Sequence, residues 1–253
     1  MRRMLPVLRS IWIWFASAVL FLFWAALMAV VWLFDRDPRR IRTARCFRRL
    51  GRALAKVNPW SIHISGRENF HRDQVYVIVS NHQSFADIPV VSHLNVDAKW
   101  LGKAELFRVP LVGWMLKMAG DIPVERGDRS KSARALLKCA QRLRQGCSIV
   151  FFPEGTRSLD GAVRPFNEGP FQLAIRERVP ILPVVLDGTG DALPRDSWIF
   201  GEARNIQLRV LEAVSPEGWT VKQSGELRDV VRQKIVDALA DLRGEGRSMP
   251  ARV

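Results

Sequence analysis

The chain has 253 residues, and 48% of them are hydrophobic, which is enough to bury one sizeable core. Its three cysteines, Cys46, Cys139 and Cys147, are odd in number and lack metal-ligand spacing, so the sequence favours free buried thiols in a reducing compartment. The formal net charge is +14, but residues 1–58 carry +10 of it and residues 59–253 only +4. Nucleic-acid-binding proteins usually carry positive charge on the folded domain, so we expect no nucleic acid among the partners.

Residues 11–34 form an apolar run without a charged side chain, long enough to cross a hydrocarbon core of about 30 Å as a helix. Tryptophans mark both ends of this run, where their amphipathic rings favour the membrane interface. A cleaved signal peptide would have a shorter apolar stretch and a small-residue cleavage site. The arginines that follow the run place the rest of the chain in the cytoplasm. Because arginines flank the run on both sides, a re-entrant pair of helices in one leaflet remains an alternative to a spanning helix.

Residues 35–58 predict a second, basic amphipathic helix, with Pro38 in its first turn. Four apolar residues recur at spacings of three and four and share one face: Phe47, Leu50, Leu54 and Val57. Seven arginines largely occupy the other faces: Arg39, Arg40, Arg42, Arg45, Arg48, Arg49 and Arg52. We predict that this helix lies on anionic lipid with its apolar stripe inserted, the alternative being that it packs on the domain. Residues 1–58 are thus expected to anchor the protein to a membrane.

From residue 59 the sequence alternates between short apolar runs and amphipathic segments. The predicted strands cover 61–65, 75–80, 122–125, 148–152, 181–187 and 206–213. The predicted helices cover 105–120, which Pro110 interrupts, 130–145 with Asp128 or Ser130 as N-cap, 171–178 and 225–243. This alternation predicts an α/β domain over residues 59–245, with a mostly parallel sheet flanked by helices. Residues 246–253 are expected to be a frayed tail.

The stretch NHQSFAD follows a predicted strand, in the kind of loop where parallel sheets usually carry their chemistry. Residues five apart on a straight helix lie about 140° apart around its axis. His82 and Asp87 therefore meet only if His82 precedes the helix and turns back over its first turn, a turn that Asn81 and Ser84 favour. Asp87 would then accept a hydrogen bond from one imidazole nitrogen and leave the other free as a base. A capped turn without chemistry is the alternative from these residues alone.

The stretch FPEGTRS also follows a predicted strand, and Gly155 and Thr156 belong to a tight polar loop there. Arg157 offers a fork of donors that suits a phosphate, and Glu154 is placed to orient it. Arg126 ends a further predicted strand and is a second candidate for the same phosphate. The alternatives are a surface turn with a local Glu–Arg pair and a surface arginine.

Four blocks in this order resemble the glycerolipid acyltransferases, and most of all the 1-acylglycerol-3-phosphate acyltransferases among them. They are NHQSFAD from Asn81, Arg126 after an Ile-x-Val strand, FPEGTRS from Phe152, and VPILPV from Val179. Residues 98–126 also resemble the family's segment between the first two blocks, including Lys103, Pro110 and Gly113. The resemblance covers roughly residues 60–190, and the first and third blocks together are highly specific.

The resemblance implies an acyl transfer without an acyl-enzyme intermediate. His82 would deprotonate the 2-hydroxyl of lysophosphatidic acid, which attacks the thioester of acyl-CoA or acyl-carrier protein, while Asp87 positions the imidazole. It implies an acceptor site that comprises Lys103, Arg126, Glu154, Gly155, Thr156 and Arg157. It further implies no metal or cofactor, membrane phospholipid and lysophospholipid as partners, and a location on the cytoplasmic face of the inner membrane.

One position departs from the family pattern and keeps other acceptors open. Where the family often has Phe-Lys-x-Gly after its third block, this chain has Phe166-Asn167-Glu168-Gly169, which loses a cation and adds an acid. Glycerol-3-phosphate or a lysolipid with another head group, such as an ornithine lysolipid, is the alternative acceptor. A non-catalytic, membrane-bound scaffold that binds polyanions through the basic N-terminus is the alternative of another class.

Overall fold

A computed structural model describes residues 4–125, 127–201 and 205–248. The chain begins with two helices, α1 (Met4–Phe34) and α2 (Ile41–Val57). Asp35, in the short connection, accepts hydrogen bonds from the backbone N–H and the hydroxyl of Thr43, at 2.9 and 2.8 Å. These bonds satisfy free donors in the first turn of α2, so the connection fixes where the second helix starts.

Seven strands then form one sheet: β1 (Ser61–Ser65), β2 (Val77–Ser80), β3 (Ala98–Lys103), β4 (Ile122–Val124), β5 (Ser148–Phe151), β6 (Ile181–Asp187) and β7 (Asn205–Val210). Their order in the sheet is β1-β7-β6-β2-β5-β3-β4. All neighbours run parallel except β6 and β7, which run antiparallel. The mostly parallel α/β fold predicted from the sequence is confirmed.

Strand β3 is absent from the predicted strands, because its sequence AKWLGK carries two lysines. The Lys99 side chain is nevertheless fully buried, and β3 lies between β4 and β5 near one edge of the sheet. A buried strand normally reads as an apolar run, so periodicity alone could not identify this one.

The remaining helices are α3 (Asp87–Val91), α4 (Val112–Ala119), α5 (Arg129–Arg144), α6 (Gly169–Glu177), α7 (Thr189–Ala192) and α8 (Ser224–Ser248). The helix predicted over 105–120 is instead a 3₁₀ turn, Ala104–Arg108, followed by α4. Pro110 and the positive φ of Leu111, 62°, separate the two pieces. Helix α8 extends to Ser248 and so includes residues 246–248 of the predicted tail, while residues 249–253 lie outside the described residues.

Each face of the sheet is covered by a separate apolar layer. On one face, Val77, Phe151 and Ile181 pack with residues of α5, α6 and α8. On the other face, Ile78 and Leu182 pack with residues of α3 and of the loops around it. Burial on both faces accounts for the near-continuous apolar sequences of β2, β5 and β6.

Helix α1 packs against the domain along one stripe and exposes apolar residues on the opposite side. Near its N-terminus Ile13 contacts the cluster of Ala86 and Phe200, and near its C-terminus Met28 is buried beside Met115 of α4. Among the described helices it alone is long and apolar enough to cross a membrane. Only 11% of its most apolar window is buried, so most of that window is exposed. The helix therefore lies along the domain and presents its outer face as a continuous apolar surface.

Helix α2 packs on the protein, which corrects the prediction that its apolar stripe is inserted in lipid. Leu50 is buried, and Phe47 and Leu54 pack against the same cluster as α1 and α4. Arg48, predicted to contact lipid phosphates, is buried and binds both carboxylate oxygens of Asp121 at 2.5 Å. The periodicity correctly predicts a helix with one apolar face, but the protein itself covers that face.

Candidate active site

The loop that carries NHQSFAD begins where β2 ends, at the centre of the sheet between β5 and β6. Asn81 anchors the loop to the neighbouring strand: its side-chain amide donates to the Leu186 carbonyl, and its side-chain oxygen accepts from the Leu186 N–H, both at 2.8 Å. Gln83 donates to the same carbonyl at 3.1 Å. Ser84 donates its hydroxyl to the Leu193 carbonyl at 2.6 Å. The polar residues around His82 therefore fix the loop backbone to β6 and its following segment.

His82 and Asp87 meet as the spacing predicts, because His82 precedes α3 and Asp87 is the first residue of that helix. The imidazole Nδ1 lies 2.6 Å from Oδ2 of Asp87. An ionised carboxylate only accepts hydrogen bonds, so Nδ1 carries the proton and Nε2 keeps its lone pair. The histidine thus presents a free basic nitrogen whose tautomer is set by its partner.

Asp87 is fully buried, and the same oxygen accepts hydrogen bonds from the backbone N–H groups of Gln83 and Ser84, at 2.8 and 3.0 Å. Three donors on one oxygen stabilise the ionised carboxylate in a buried place, where an unpaired charge would be costly. The geometry therefore maintains a negative charge beside the imidazole, which stabilises the imidazolium when Nε2 takes up a proton.

The FPEGTRS turn lies directly against His82. The ring of Phe152 stacks on the imidazole with centroids 4.2 Å apart, and the His82 carbonyl accepts from the Ser158 N–H at 2.7 Å. Glu154 accepts from the His82 backbone N–H at 2.8 Å. Burial raises the pKa of Glu154 to about 7. Within the described residues Glu154 forms no ion pair with Arg157, so the predicted Glu154–Arg157 orientation is wrong: the carboxyl group instead positions the histidine loop.

Arg157 lies over the other end of that loop, with its guanidinium carbon 4.1 Å from the centroid of the Phe85 ring. It donates to the backbone carbonyl of Arg195 at 3.3 Å, and Arg195 donates to the backbone carbonyl of Arg157 at 2.9 Å. Burial and the nearby Arg195 charge lower the pKa of Arg157. Two guanidinium groups are thus held together beside the histidine loop, an arrangement that favours an anion between them.

Arg195 could not be predicted from the sequence, because it lies 38 residues from Arg157 in a segment without a recognisable motif. Of the other predicted acceptor-site residues, the structure describes Gly155, Thr156 and Lys103. Gly155 needs its positive φ of 72°, and the added Cβ of any other residue would lie 3.1 Å from Nδ2 of Asn167. Thr156 is half-buried in the same turn, and Lys103 is half-exposed at the end of β3, 3.5 Å from Glu105. Arg126 lies outside the described residues.

Asn167, where the chain departs from the family pattern, holds the FPEGTRS turn rather than pointing away from it. Its side-chain amide and its backbone N–H both donate to the Pro153 carbonyl, at 2.7 and 2.9 Å. The asparagine therefore supports the backbone conformation of Gly155 and its neighbours. Within the described ranges no three His, Cys, Asp or Glu residues come together as metal ligands.

Helix α1 packs against the histidine loop, a contact that the sequence did not predict. Ile13, Ala86, Leu193 and Phe200 form one buried cluster, so α1 touches the histidine loop directly. Arg9 donates to the Phe200 carbonyl at 2.9 Å. Half of the Phe85 side chain, 51%, is exposed next to this contact. The partly exposed Phe85 and the rest of the histidine loop therefore lie beside α1.

This fold and this site belong to the Acyltransferase family, whose sequence profile matches residues 61–187. Among sequence relatives, a chloroplastic 1-acyl-sn-glycerol-3-phosphate acyltransferase of Brassica napus is 35% identical over 84% of the chain and 55% of the relative. A 1-acyl-sn-glycerol-3-phosphate acyltransferase of Chlamydomonas reinhardtii is 32% identical over 90% of the chain and 67% of the relative. The chain thus spans between half and two thirds of the length of these relatives.

A solved structure resembles the whole chain. The crystal structure of the 1-acyl-sn-glycerophosphate (LPA) acyltransferase PlsC from Thermotoga maritima superposes with a TM-score of 0.84, at 26% identity and over 100% of both chains. The resemblance includes the N-terminal helices, which the family profile does not cover.

Proposed function

We propose that the protein is a 1-acyl-sn-glycerol-3-phosphate O-acyltransferase, which converts lysophosphatidic acid to phosphatidic acid. The observation that carries the proposal is the 2.6 Å contact between Nδ1 of His82 and buried Asp87, which leaves Nε2 as a base. The names of the sequence relatives and of the structural neighbour support the same activity.

In the proposed reaction, Nε2 of His82 takes the proton of the acceptor's 2-hydroxyl as that oxygen bonds to the thioester carbonyl carbon. The carbon–sulfur bond then breaks, and the imidazolium returns the proton to the leaving thiolate. Asp87 stabilises the imidazolium between the two steps. The acyl donor is a thioester of coenzyme A or of acyl-carrier protein, and the proposal includes no cofactor.

Arg157 and Arg195 are the proposed ligands of the acceptor phosphate, together with Arg126 and Lys103. The support is the pair of adjacent guanidinium groups over Phe85, within reach of the histidine loop. Paired guanidinium forks suit a phosphate monoester, which carries up to two charges and three terminal oxygens. Glu154, Gly155 and Thr156 shape the floor of this pocket by fixing the turn against His82.

The proposed location is the cytoplasmic face of the inner membrane, with residues 1–58 as the anchor and residues 59–245 as the acyltransferase domain. Because α1 contacts the domain near both of its ends, we infer that it lies in one leaflet along the domain instead of crossing the bilayer. Its outer apolar face would enter the lipid, and the site beside it would receive a lysophospholipid laterally from the membrane.

Acyl transfer from a radiolabelled acyl-CoA to a panel of acceptors tests both the activity and its acceptor. We expect transfer to lysophosphatidic acid to exceed transfer to glycerol-3-phosphate and to an ornithine lysolipid. His82→Ala should abolish it, while His71→Ala, which replaces an exposed histidine, should not. Normal turnover by folded His82→Ala would refute the catalytic proposal and favour a scaffold; preference for another acceptor would refute only the substrate.

A further inference from the structure

The positive charge of the folded domain is concentrated at one edge of the sheet. Residues 99–144, which run from β3 to the end of α5, contain eleven Lys or Arg and four Asp or Glu. The rest of residues 59–253 contains sixteen Lys or Arg and nineteen Asp or Glu. The excess positive charge of the domain therefore comes from the segment around the edge strand β4.

A cavity of about 400 Å³ lies at this edge, bounded by α4, β4 and α5. Three cations line it, Lys117 from α4 and Lys138 and Arg142 from α5, next to the apolar side chain of Phe107. We call this space the edge cavity. Its size is that of a small-ligand site, and its charge is that of an anion site.

Among the residues that the structure describes, no acid forms an ion pair with the three cations of the edge cavity. Within the described residues Lys117 and Lys138 form no ion pair, and Arg142 donates to neutral oxygens of Pro38 and Gln145, at 3.2 and 3.0 Å. The one acid in the lining, Asp121, is occupied by the buried Arg48 and by the Trp100 N–H at 2.9 Å.

A further buried cation lies behind the cavity wall. Nζ of Lys99 donates to the carbonyls of Ala119 and Arg40, at 2.8 and 3.3 Å, and burial lowers its pKa to about 8. A Cβ added at Gly120 would lie 3.3 Å from Nη2 of Arg142 and 3.7 Å from Nζ of Lys99. Charges that converge on one glycine backbone favour an anion at that point.

Both walls of the edge cavity are attached to the membrane-facing helices. Helix α4, which supplies Lys117, buries Met115 against α1, and its exposed Trp114 has 62% of its surface free. Helix α5 is held to the connection after α1, because Arg142 donates to the Pro38 carbonyl. An exposed tryptophan next to an apolar helix is typical of the membrane interface, so the cavity opens where lipid head groups lie.

We propose that the edge cavity binds the phosphate head group of an anionic membrane phospholipid, as a site separate from the acyl-transfer site. Lys117, Lys138 and Arg142 would bind the phosphate, and Trp114 would lie among the head groups beside it. The proposal is independent of the proposed reaction, since none of these residues belongs to the His82 site. An acidic carrier protein or free phosphate would meet the same charge, but neither accounts for the exposed tryptophan beside α1.

The test uses the full chain in dodecyl maltoside and measures binding by calorimetry. The probes are short-chain phosphatidylglycerol, short-chain phosphatidylcholine, inorganic phosphate and holo-acyl-carrier protein. The variant is Lys117→Gln/Lys138→Gln, which replaces two exposed lysines. Its matched control is Lys222→Gln/Lys234→Gln, which removes the same charge from exposed positions just before α8 and within it.

We expect wild type to bind phosphatidylglycerol more tightly than phosphatidylcholine, and the Lys117/Lys138 variant to weaken that binding by about fivefold per lysine. The control should change it less than about twofold, because remote exposed charges are screened. Acyl transfer in detergent should be the same in all three proteins, which shows that the variant is folded. Equal phosphatidylglycerol binding by variant and control would overturn the proposal, as would tighter binding of inorganic phosphate or loss of carrier-protein binding alone.

Discussion

Two close pairs of polar side chains in this protein have nearly the same geometry but arise in different ways. In the His82 loop, Nδ1 and Oδ2 of Asp87 are 2.6 Å apart, and the two residues are five positions apart in the sequence. At the sheet edge, Arg48 and Asp121 are 2.5 Å apart but separated by 73 positions, with Lys99 between them in sequence. The first pair is formed by one loop, whereas the second needs α2, β3 and β4 to be packed.

The His82–Asp87 pair and the Arg48–Asp121 pair have different roles. In the His82 pair Asp87 holds the imidazole through Nδ1, a geometry that suits the proposed reaction. The Arg48 cluster, defined as Arg48, Lys99 and Asp121, is buried and joins the N-terminal helices to the domain. Loss of the local pair leaves the rest of the packing in place, whereas loss of the long-range cluster leaves a buried charge without its partner and so lowers the stability of the fold.

The largest expected effect is on turnover, from Asp87→Asn. The amide oxygen can replace Oδ2 and still accept from the Gln83 and Ser84 N–H groups, but the negative charge that stabilises the imidazolium is lost. We expect kcat to fall roughly a thousandfold with the fold retained. Steady-state kinetics and circular dichroism of the variant check this. A fall of less than tenfold would remove Asp87 from the proposed role.

The second effect is on stability, from breaking the Arg48 cluster. Asp121→Asn leaves the buried Arg48 and Lys99 without a negative charge, and Arg48→Met leaves Asp121 without its main partner. Either variant should lower the free energy of unfolding by about 3–5 kcal/mol, because an uncompensated charge stays buried. The double variant should cost less than the sum of the two single variants. Additive losses in denaturant titrations would show that the two residues are not coupled.

The third effect is a pH dependence of stability that comes from Glu154. Its folded pKa of about 7 lies above its ordinary value of 4.5, so the unfolded chain releases this proton first as the pH rises. The Glu154 contribution therefore lowers stability between about pH 4.5 and 7, by on the order of 3 kcal/mol in total. Glu154→Gln, which keeps an oxygen for the His82 N–H, should melt higher relative to wild type at pH 8 than at pH 5. A pH-independent difference in melting temperature between the two proteins would contradict the raised pKa.

The smallest expected effect is on acceptor binding, from Arg195→Met. Loss of one charged fork from the Arg157–Arg195 pair should raise the KM for lysophosphatidic acid about tenfold and leave the KM for acyl-CoA unchanged. Arg178→Met, which replaces an arginine at the end of α6, is the matched control. An equal rise in both KM values would indicate a structural role for Arg195 instead of phosphate binding.

The sequence by itself determined the α/β class, six of the seven strands and the turn that brings His82 to Asp87. These features depend on local patterns: apolar runs bounded by turns, and a histidine placed just before a helix whose first residue is an aspartate. The phosphate-binding candidate Arg157 could be read from the sequence for the same reason, since its turn follows a strand directly.

Only the tertiary structure decided the partners that come from distant parts of the chain. Lys99 is buried in a strand that was not predicted, and Arg195 lies beside Arg157. Arg48 binds Asp121 where lipid phosphates were predicted. Glu154 binds the His82 loop where Arg157 was predicted. The tertiary structure also packed α1 against the domain near both ends of the helix, a contact that hydropathy alone could not predict. Hydropathy reports how apolar a surface is, but whether protein or lipid covers that surface depends on the packing of elements far apart in the sequence.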